Sequence, residues 1–473
     1  MREPPAGIVG NIAANRPVLA LSVMTTGLIA LGVAGARQIG GEQASLIFTY
    51  AATALFVVAL PMALAALQPR GSFRKFSFFF GVAVVAGVLV AADLGHIAFP
   101  APLEAPPKML TLSALALFAF LAVLAPLGFN VARLSVAASF AAIIGAVGGA
   151  GYLAVEQLWG LEEGAVAIAL ALALGVGTGV NVGADFAKFF AGGAAQRRAA
   201  AAAGHSAVAI AVFSLLVVAA FFGVQTFDAN FGAVEWRIVW AGITAGAAAM
   251  IAALVAVTGS LAIVPIGEQA AVDENYRRIW FAANWRPIRQ ALPPTSAAAA
   301  TAIAGVFVVI ALFEAGFAAP ISLSLFFVLV WIAAAIAFVS VRTSVLIVAL
   351  VAVSAVFAGY AYSILGLALP ALSERLAGLA FCAIAVGHMT VSWRNAGEAW
   401  RNPRDITENA LSDGLRRFLF AVGAGAAAIF VSAHSFAWEA GVATIAYFLT
   451  TALFSLLLAP VMMTAMSARF ARY

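Results

Sequence analysis

Apolar runs long enough to cross a lipid bilayer follow one another along almost the whole of this chain. The 473 residues are 64% hydrophobic and only 10% charged. A membrane-spanning helix needs about 17–25 mostly apolar residues. The sequence contains fourteen such runs, at 16–38, 44–67, 76–98, 109–127, 134–157, 164–187, 204–224, 237–264, 295–315, 318–340, 343–366, 374–393, 415–433 and 438–466. We therefore expect an all-α polytopic membrane protein of about 14 transmembrane helices.

The basic residues predict the orientation of these helices. With the N-terminus in the cytoplasm, 21 of the 25 Lys and Arg residues fall in the inner gaps. The outer gaps hold only four basic residues, Arg37, Lys108, Arg237 and Arg375. Because cytoplasmic loops carry the excess of positive charge, this pattern predicts an N-in, C-in topology. It also supports an even number of helices.

Several classes of function find no support in the sequence. Topology and contact with anionic lipid headgroups explain the net charge of +5, so we expect no nucleic-acid partner. The single cysteine, Cys382, lies within an apolar run and suggests neither a disulfide nor a metal site. No phosphate-binding loop, metal-ligand spacing or nucleophile–base arrangement stands out. We expect no cofactor, no metal and no enzymatic activity.

The run around 164–190 is predicted to be a helix with two different faces. Three glycines recur every four residues, Gly175, Gly179 and Gly183, and would let a second helix approach closely. A second stripe follows the same kind of spacing on another face of the helix. It contains Gly177 and three polar or ionisable residues, Asn181, Asp185 and Lys188. Such groups are expensive in hydrocarbon and usually face a protein interior or a water-filled path, so we take them as pathway candidates. The alternative is that Asp185 and Lys188 are a pair at the helix end that reaches toward the headgroups.

The chain divides into two parts at its one substantial central gap. Residues 1–266 form the first membrane half, which includes an extra helical hairpin at about 44–98. Residues 267–294 mix basic and aromatic side chains and are predicted to form an amphipathic cytoplasmic linker. Residues 295–473 form the second membrane half. A simple solvated linker is the alternative for the central segment.

The two halves repeat the same order of features. Each ends with a helix, a Gly/Ala-rich helix, a basic loop and a hairpin of two helices. In the first half the basic loop contains Arg197 and Arg198, and the last helix of each half is expected to close on a proline, Pro265 or Pro460. Internal repeats of this kind are common in transporters, with sites between the halves. The alternative is a likeness of composition alone.

Three short segments resemble the transmembrane core of the resistance–nodulation–division (RND) superfamily, nearest to its MMPL and Patched-like branches. The sequence Gly177-Thr178-Gly179-Val180-Asn181 is similar to the G-x-G-V-D motif of the family's fourth helix. The stretch from Arg404 to Arg417 resembles the amphipathic lead-in to its eleventh helix, and Arg16-Pro17 resembles the start of its first helix. The resemblance implies two membrane halves and transport of a substrate.

The chain also departs from the family pattern. Family members usually carry a large extracytoplasmic domain after the first helix of each half, and here neither position has one. Asn181 stands where the family's proton-relaying aspartate is expected. A carboxylate titrates and an amide does not, which argues against the family's usual proton coupling. Asp185, one turn further on, or His388, beside the matching position of the second half, is a possible substitute.

We therefore expect an integral membrane transporter of the RND type that moves or binds a lipid or other hydrophobic molecule. One alternative is a non-transporting membrane subunit that binds a partner membrane or periplasmic protein. Another is a fourteen-helix flippase for lipid-linked sugars. Membrane lipids are the expected partners, oligomers are possible, and the Ala- and Gly-rich composition suggests a bacterial inner membrane.

Overall fold

The structure is a computed structural model that describes residues 162–227, part of 243–262, 321–399, part of 410–429 and 438–468. It contains six helices with defined bounds: α1 Glu162–Ala191, α2 Gln196–Phe227, α3 Ile321–Phe338, α4 Val341–Ile364, α5 Leu372–Ala399 and α6 Trp438–Ala468. The described residues within 243–262 and 410–429 are helical as well, and no strand occurs in the part of the chain described here. The all-α prediction holds for these residues.

Four of the helices are long and apolar enough to cross a membrane. The spanning segments are Gln196–Val224 of α2, the whole of α4, Leu372–Asn395 of α5 and Val442–Ser467 of α6. At a rise of 1.5 Å per residue, the 24 residues of α4 extend about 36 Å, which exceeds the roughly 30 Å of hydrocarbon in a bilayer. The prediction of a multi-pass membrane protein is confirmed. The runs predicted at 16–38, 44–67, 76–98, 109–127, 134–157 and 295–315, and the linker at 267–294, lie outside the described residues, so the count of fourteen stays a prediction.

The helices divide into two compact units. The first contains α1, α2 as far as Ala211, and the described residues of 243–262. The second contains α2 from Val212 onward, α3, α4, α5, the described residues of 410–426, and α6. These two units are not the two predicted membrane halves, 1–266 and 295–473. The division of the chain into those halves stays a prediction.

The predicted basic loop around Arg197 and Arg198 is wrong in its extent, because α2 begins at Gln196 and contains both residues in its exposed first turn. The turn between α1 and α2 is only four residues long, and Gly193 adopts the left-handed region there with a φ of 88°. The buried run Ala199–Ala203 follows directly. Alanine has the highest helix propensity, which explains why the helix extends this far toward its N-terminus.

Pro460 does not close the last helix, as the sequence suggested, but lies inside α6. Proline lacks the N–H that an interior helical position normally donates. Spanning helices tolerate this when neighbouring groups satisfy the backbone locally. The carbonyl that would pair with an N–H at position 460 belongs to Leu456. The bond from the Thr464 hydroxyl to the Pro460 carbonyl oxygen, at 2.7 Å, is a separate contact within the same helix. Pro265 lies outside the described residues.

In the second unit α5 is the central helix. It packs against α4 and α6, and 89% of its spanning window is buried inside the protein. Glycines permit close approach to α5 at two places. On α5 itself, a Cβ added at Gly378 would lie 3.2 Å from a ring carbon of Tyr447 on α6. On the segment 410–429, a Cβ added at Gly414 would lie 2.9 Å from the carbonyl oxygen of Met389 on α5. Such small-residue contacts are typical of helix packing in membranes.

A buried polar cluster joins three helices of this unit. The Ser455 hydroxyl of α6 lies 2.9 Å from the Ser354 hydroxyl of α4 and 3.3 Å from the Cys382 sulfur of α5. All three side chains are buried. Hydrogen bonds between spanning helices stabilise their association, so this cluster fixes the register of α4, α5 and α6.

Candidate ion and substrate pathway

The polar stripe of α1 is buried over the region that the sequence singled out. Asn181 and Asp185 are almost completely buried, and Lys188, in the last turn of the helix, is half-buried. The three glycines of the other stripe, Gly175, Gly179 and Gly183, are also buried. Burial alone therefore does not separate a packing face from a pathway face, and both assignments stay predictions.

Asn181 makes a hydrogen bond within its own helix. Its Nδ2 donates to the Gly177 carbonyl oxygen at 3.0 Å, and the neighbouring Thr178 hydroxyl donates to Leu174 O at 2.8 Å. Such bonds to the preceding turn satisfy polar side chains in apolar surroundings. Because an amide does not titrate, Asn181 can orient or bind a group but cannot carry a proton.

Asp185 bonds to a neighbouring helix instead. Its Oδ2 accepts a hydrogen bond from the Ser206 hydroxyl of α2, which also lies 2.9 Å from the Ala203 carbonyl oxygen. Ser206 was not singled out in the sequence, where it lies in an alanine-rich run. The only local signal is the polar pair His205-Ser206, of which His205 is exposed and Ser206 half-buried. The structure thus brings one acid and one hydroxyl together across two helices.

Lys188 lies in the last turn of α1, where a basic residue can stabilise the helix end without lining a pathway. A cation near a helix C-terminus interacts favourably with the helix dipole. Its long side chain also allows the charge to reach polar surroundings while the stem packs on apolar surface. The alternative stated for Lys188, an interfacial residue at the helix end, therefore stays open.

His388 lies on α5 in the second unit and is buried. The charge of Arg417 acts on its ring, and Arg417 itself is also buried. The close approach of Gly414 to Met389 explains how these residues come together, because Gly414 lies one turn before Arg417 and Met389 follows His388. From its position before an apolar run, Arg417 is expected among the basic residues of the cytoplasmic gaps, and the sequence does not predict its burial.

The described residues therefore include two pairs that contain buried ionisable groups. They are Asp185 with the half-buried Ser206 in the first unit, and His388 with Arg417 in the second. Buried ionisable residues in membrane proteins usually mark ion or substrate pathways. Among the described residues, no group of three or more His, Cys, Asp or Glu side chains is placed to hold a metal ion.

The arrangement of the helices is similar to that of solved SecDF structures. The crystal structure of SecDF, a translocon-associated membrane protein, from Thermus thermophilus matches with a TM-score of 0.53 at 14% identity. The fold is RND-like. The match covers 77% of this chain and 62% of the SecDF chain. SecDF in its super-membrane-facing form matches with a TM-score of 0.50 at 13% identity, over 76% of this chain and 61% of that one.

The chain spans about three-fifths of the length of the SecDF chains that it matches. No family model and no curated protein matches its sequence. The predicted RND-type core is confirmed at the level of the fold. The MMPL or Patched-like branch and the lack of extracytoplasmic domains stay predictions.

Proposed function

We propose that this RND-like protein is a membrane transporter that moves a lipid or other hydrophobic molecule and that Asp185 is the ionisable residue of its pathway. The observation that carries the proposal is the hydrogen bond between the buried Asp185 on α1 and the half-buried Ser206 on α2. A buried carboxyl group that contacts a second helix can couple a change of charge to a change of helix packing.

The chemistry of this pair provides a simple switch. When Asp185 is ionised, its carboxylate only accepts hydrogen bonds, and the Ser206 hydroxyl donates to it. When Asp185 takes up a proton, the proton stays on the carboxyl group, whose O–H then donates a hydrogen bond to the Ser206 oxygen. The Ser206 hydroxyl then turns its own hydrogen to the Ala203 carbonyl oxygen, 2.9 Å away. Uptake and release of one proton would thus reverse the direction of the hydrogen bond between α1 and α2 and would make or break the bond from Ser206 to the Ala203 carbonyl oxygen.

A hydrophobic substrate is supported by the layout of the sequence. The longest stretch between two predicted spans is about 30 residues, which is too short for a folded domain that captures a water-soluble ligand. A lipid can instead enter sideways from the bilayer. The test is the reconstituted protein in liposomes with a headgroup-labelled fluorescent phospholipid. We expect the protein to accelerate movement of the label between leaflets, and faster movement under an imposed pH gradient. The same rate as in protein-free liposomes would contradict the proposal.

A second candidate function is supported by the likeness to SecDF, which is described as translocon-associated. In this account the protein is a membrane subunit that binds a partner membrane or periplasmic protein and transports nothing itself. Native mass spectrometry of gently extracted protein separates the two candidates. A defined lipid on the isolated chain supports the transporter, whereas a second chain at fixed ratio without lipid supports the subunit. The RND-like fold favours both over the fourteen-helix flippase.

A further inference from the structure

The turn between α4 and α5 displays a set of large apolar side chains. Four of them are strongly exposed: Ile364 at 83%, Leu365 at 69%, Leu367 at 53% and Leu369 at 47%. They fall within six consecutive residues, so they form one continuous apolar tip. Large exposed apolar patches on a protein surface usually mark a contact with another protein or with a membrane.

The backbone of this turn is held in place by its own hydrogen bonds. Leu367 N donates to Tyr362 O at 2.9 Å and Gly366 N donates to Ser363 O at 3.1 Å, which close the end of α4. Gly366 has a φ of 65°, as expected for the left-handed residue that ends a helix in this way. On the other side, the Glu374 carboxylate accepts from Ala371 N at 3.0 Å and caps the start of α5. The apolar side chains are therefore presented by an ordered turn.

Helix geometry places this turn at the edge of the hydrocarbon. Arg342 and Ile364 are 22 residues apart on α4, a rise of about 33 Å. Arg394 and Arg375 are 19 residues apart on α5, a rise of about 28 Å. The hydrocarbon core is about 30 Å thick, so if Arg342 and Arg394 lie near one headgroup layer, Ile364 and Arg375 lie near the other.

We propose that the Ile364–Leu369 turn is a lipid anchor whose apolar side chains insert into the acyl-chain boundary of the bilayer. The occupant is phospholipid, because the exposed tip is continuous with the exposed side chain of Tyr360, one turn earlier on the spanning helix α4. Arg375 is half-buried in the first turn of α5, near the level at which α4 ends, and its long side chain can extend to the phosphate level. The predicted topology places this anchor in the outer leaflet. This proposal does not depend on the proposed transport function.

Depth measurement by spin labelling tests the anchor directly. A nitroxide is attached at Leu367→Cys in a Cys382→Ser background, which keeps a hydrogen-bonding group beside Ser455. The protein is reconstituted in phosphatidylcholine and phosphatidylglycerol liposomes, and collision with oxygen is compared with collision with a water-soluble nickel chelate. Leu457→Cys, on an exposed position of the α6 span, is the lipid control. Arg197→Cys, exposed in the first turn of α2, is the water control.

We expect the label at 367 to collide with oxygen more than with the nickel chelate, as the label at 457 does. A label that behaves like the one at 197 lies in water and overturns the proposal. A label shielded from both reagents is covered by protein and overturns it too. Leu369→Cys repeats the measurement at a second position, so that a folding defect of one variant does not leave the result open.

Discussion

The Ser206 hydroxyl of α2 donates a hydrogen bond to the Asp185 carboxylate of α1, and this bond joins a titratable group to a neighbouring helix inside the first unit. Loss of a donor to a buried carboxylate is more costly than loss of an ordinary hydrogen bond, because bonds to charged groups are stronger. Asp185 and Ser206 therefore form a pair in which each residue constrains the behaviour of the other.

Ser206→Ala should destabilise the protein by about 1–3 kcal/mol, because it removes a donor to a buried charged group. Ser206→Thr retains the hydroxyl and should recover most of the loss. Thermal unfolding in a mild detergent at neutral pH measures both variants. Equal stability of Ser206→Ala and the unaltered protein would show that the bond does not stabilise the folded state.

The contact between Gly414 and Met389 predicts that position 414 tolerates no side chain larger than that of glycine. An added Cβ at Gly414 lies 2.9 Å from the Met389 carbonyl oxygen, which is backbone and cannot move aside as a flexible side chain does. Gly414→Ala should therefore destabilise by about 1–3 kcal/mol.

Gly359→Ala on α4 is the matched control for this change, because nothing lies within 4 Å of an added Cβ there. Alanine at that helical position should leave stability unchanged or raise it by up to about 1 kcal/mol. Unfolding of both variants in the same detergent gives the comparison. Similar values for the two would contradict the packing described at Gly414.

The cluster of Ser354, Cys382 and Ser455 predicts coupling between helices. Ser455→Ala should destabilise by about 0.6–1.7 kcal/mol, the usual range for a hydrogen bond between spanning helices. Because Ser354 and Ser455 share one contact, the effect of the double alanine variant should be smaller than the sum of the single effects. Thr450→Ala serves as the control, since the Thr450 hydroxyl bonds to Ala446 O of its own helix. Additive effects at Ser354 and Ser455 would show that the two hydroxyls do not interact.

Much of the helical layout follows from the sequence, because a run of apolar residues long enough to cross a bilayer has few alternatives to a helix. The runs predicted at 204–224, 343–366, 374–393 and 438–466 correspond to α2, α4, α5 and α6. Helix ends were less predictable. The alanine run after Arg198 extends α2 toward its N-terminus, and α6 continues through Pro460.

The candidate site was predictable only along one helix. Spacing alone placed Asn181 and Asp185 on one stripe, and both are buried. The partner of Asp185 was missed because Ser206 is 21 residues away and its position depends on how α1 and α2 pack. Arg417 was missed for a related reason: a basic residue before an apolar run is usually at a membrane surface, and only the packing of Gly414 on Met389 shows its burial.

The most direct test of the proposed function compares two substitutions of Asp185 in the liposome assay with a labelled phospholipid. Asp185→Glu keeps a titratable carboxyl, whereas Asp185→Asn keeps the shape and removes the charge. Glu374→Gln, which removes a carboxyl at the start of α5, is the control. At equal amounts of reconstituted protein, we expect the unaltered protein, Asp185→Glu and Glu374→Gln to respond to an imposed pH gradient, and Asp185→Asn to show no response. A full gradient-driven rate for Asp185→Asn would contradict the role proposed for Asp185.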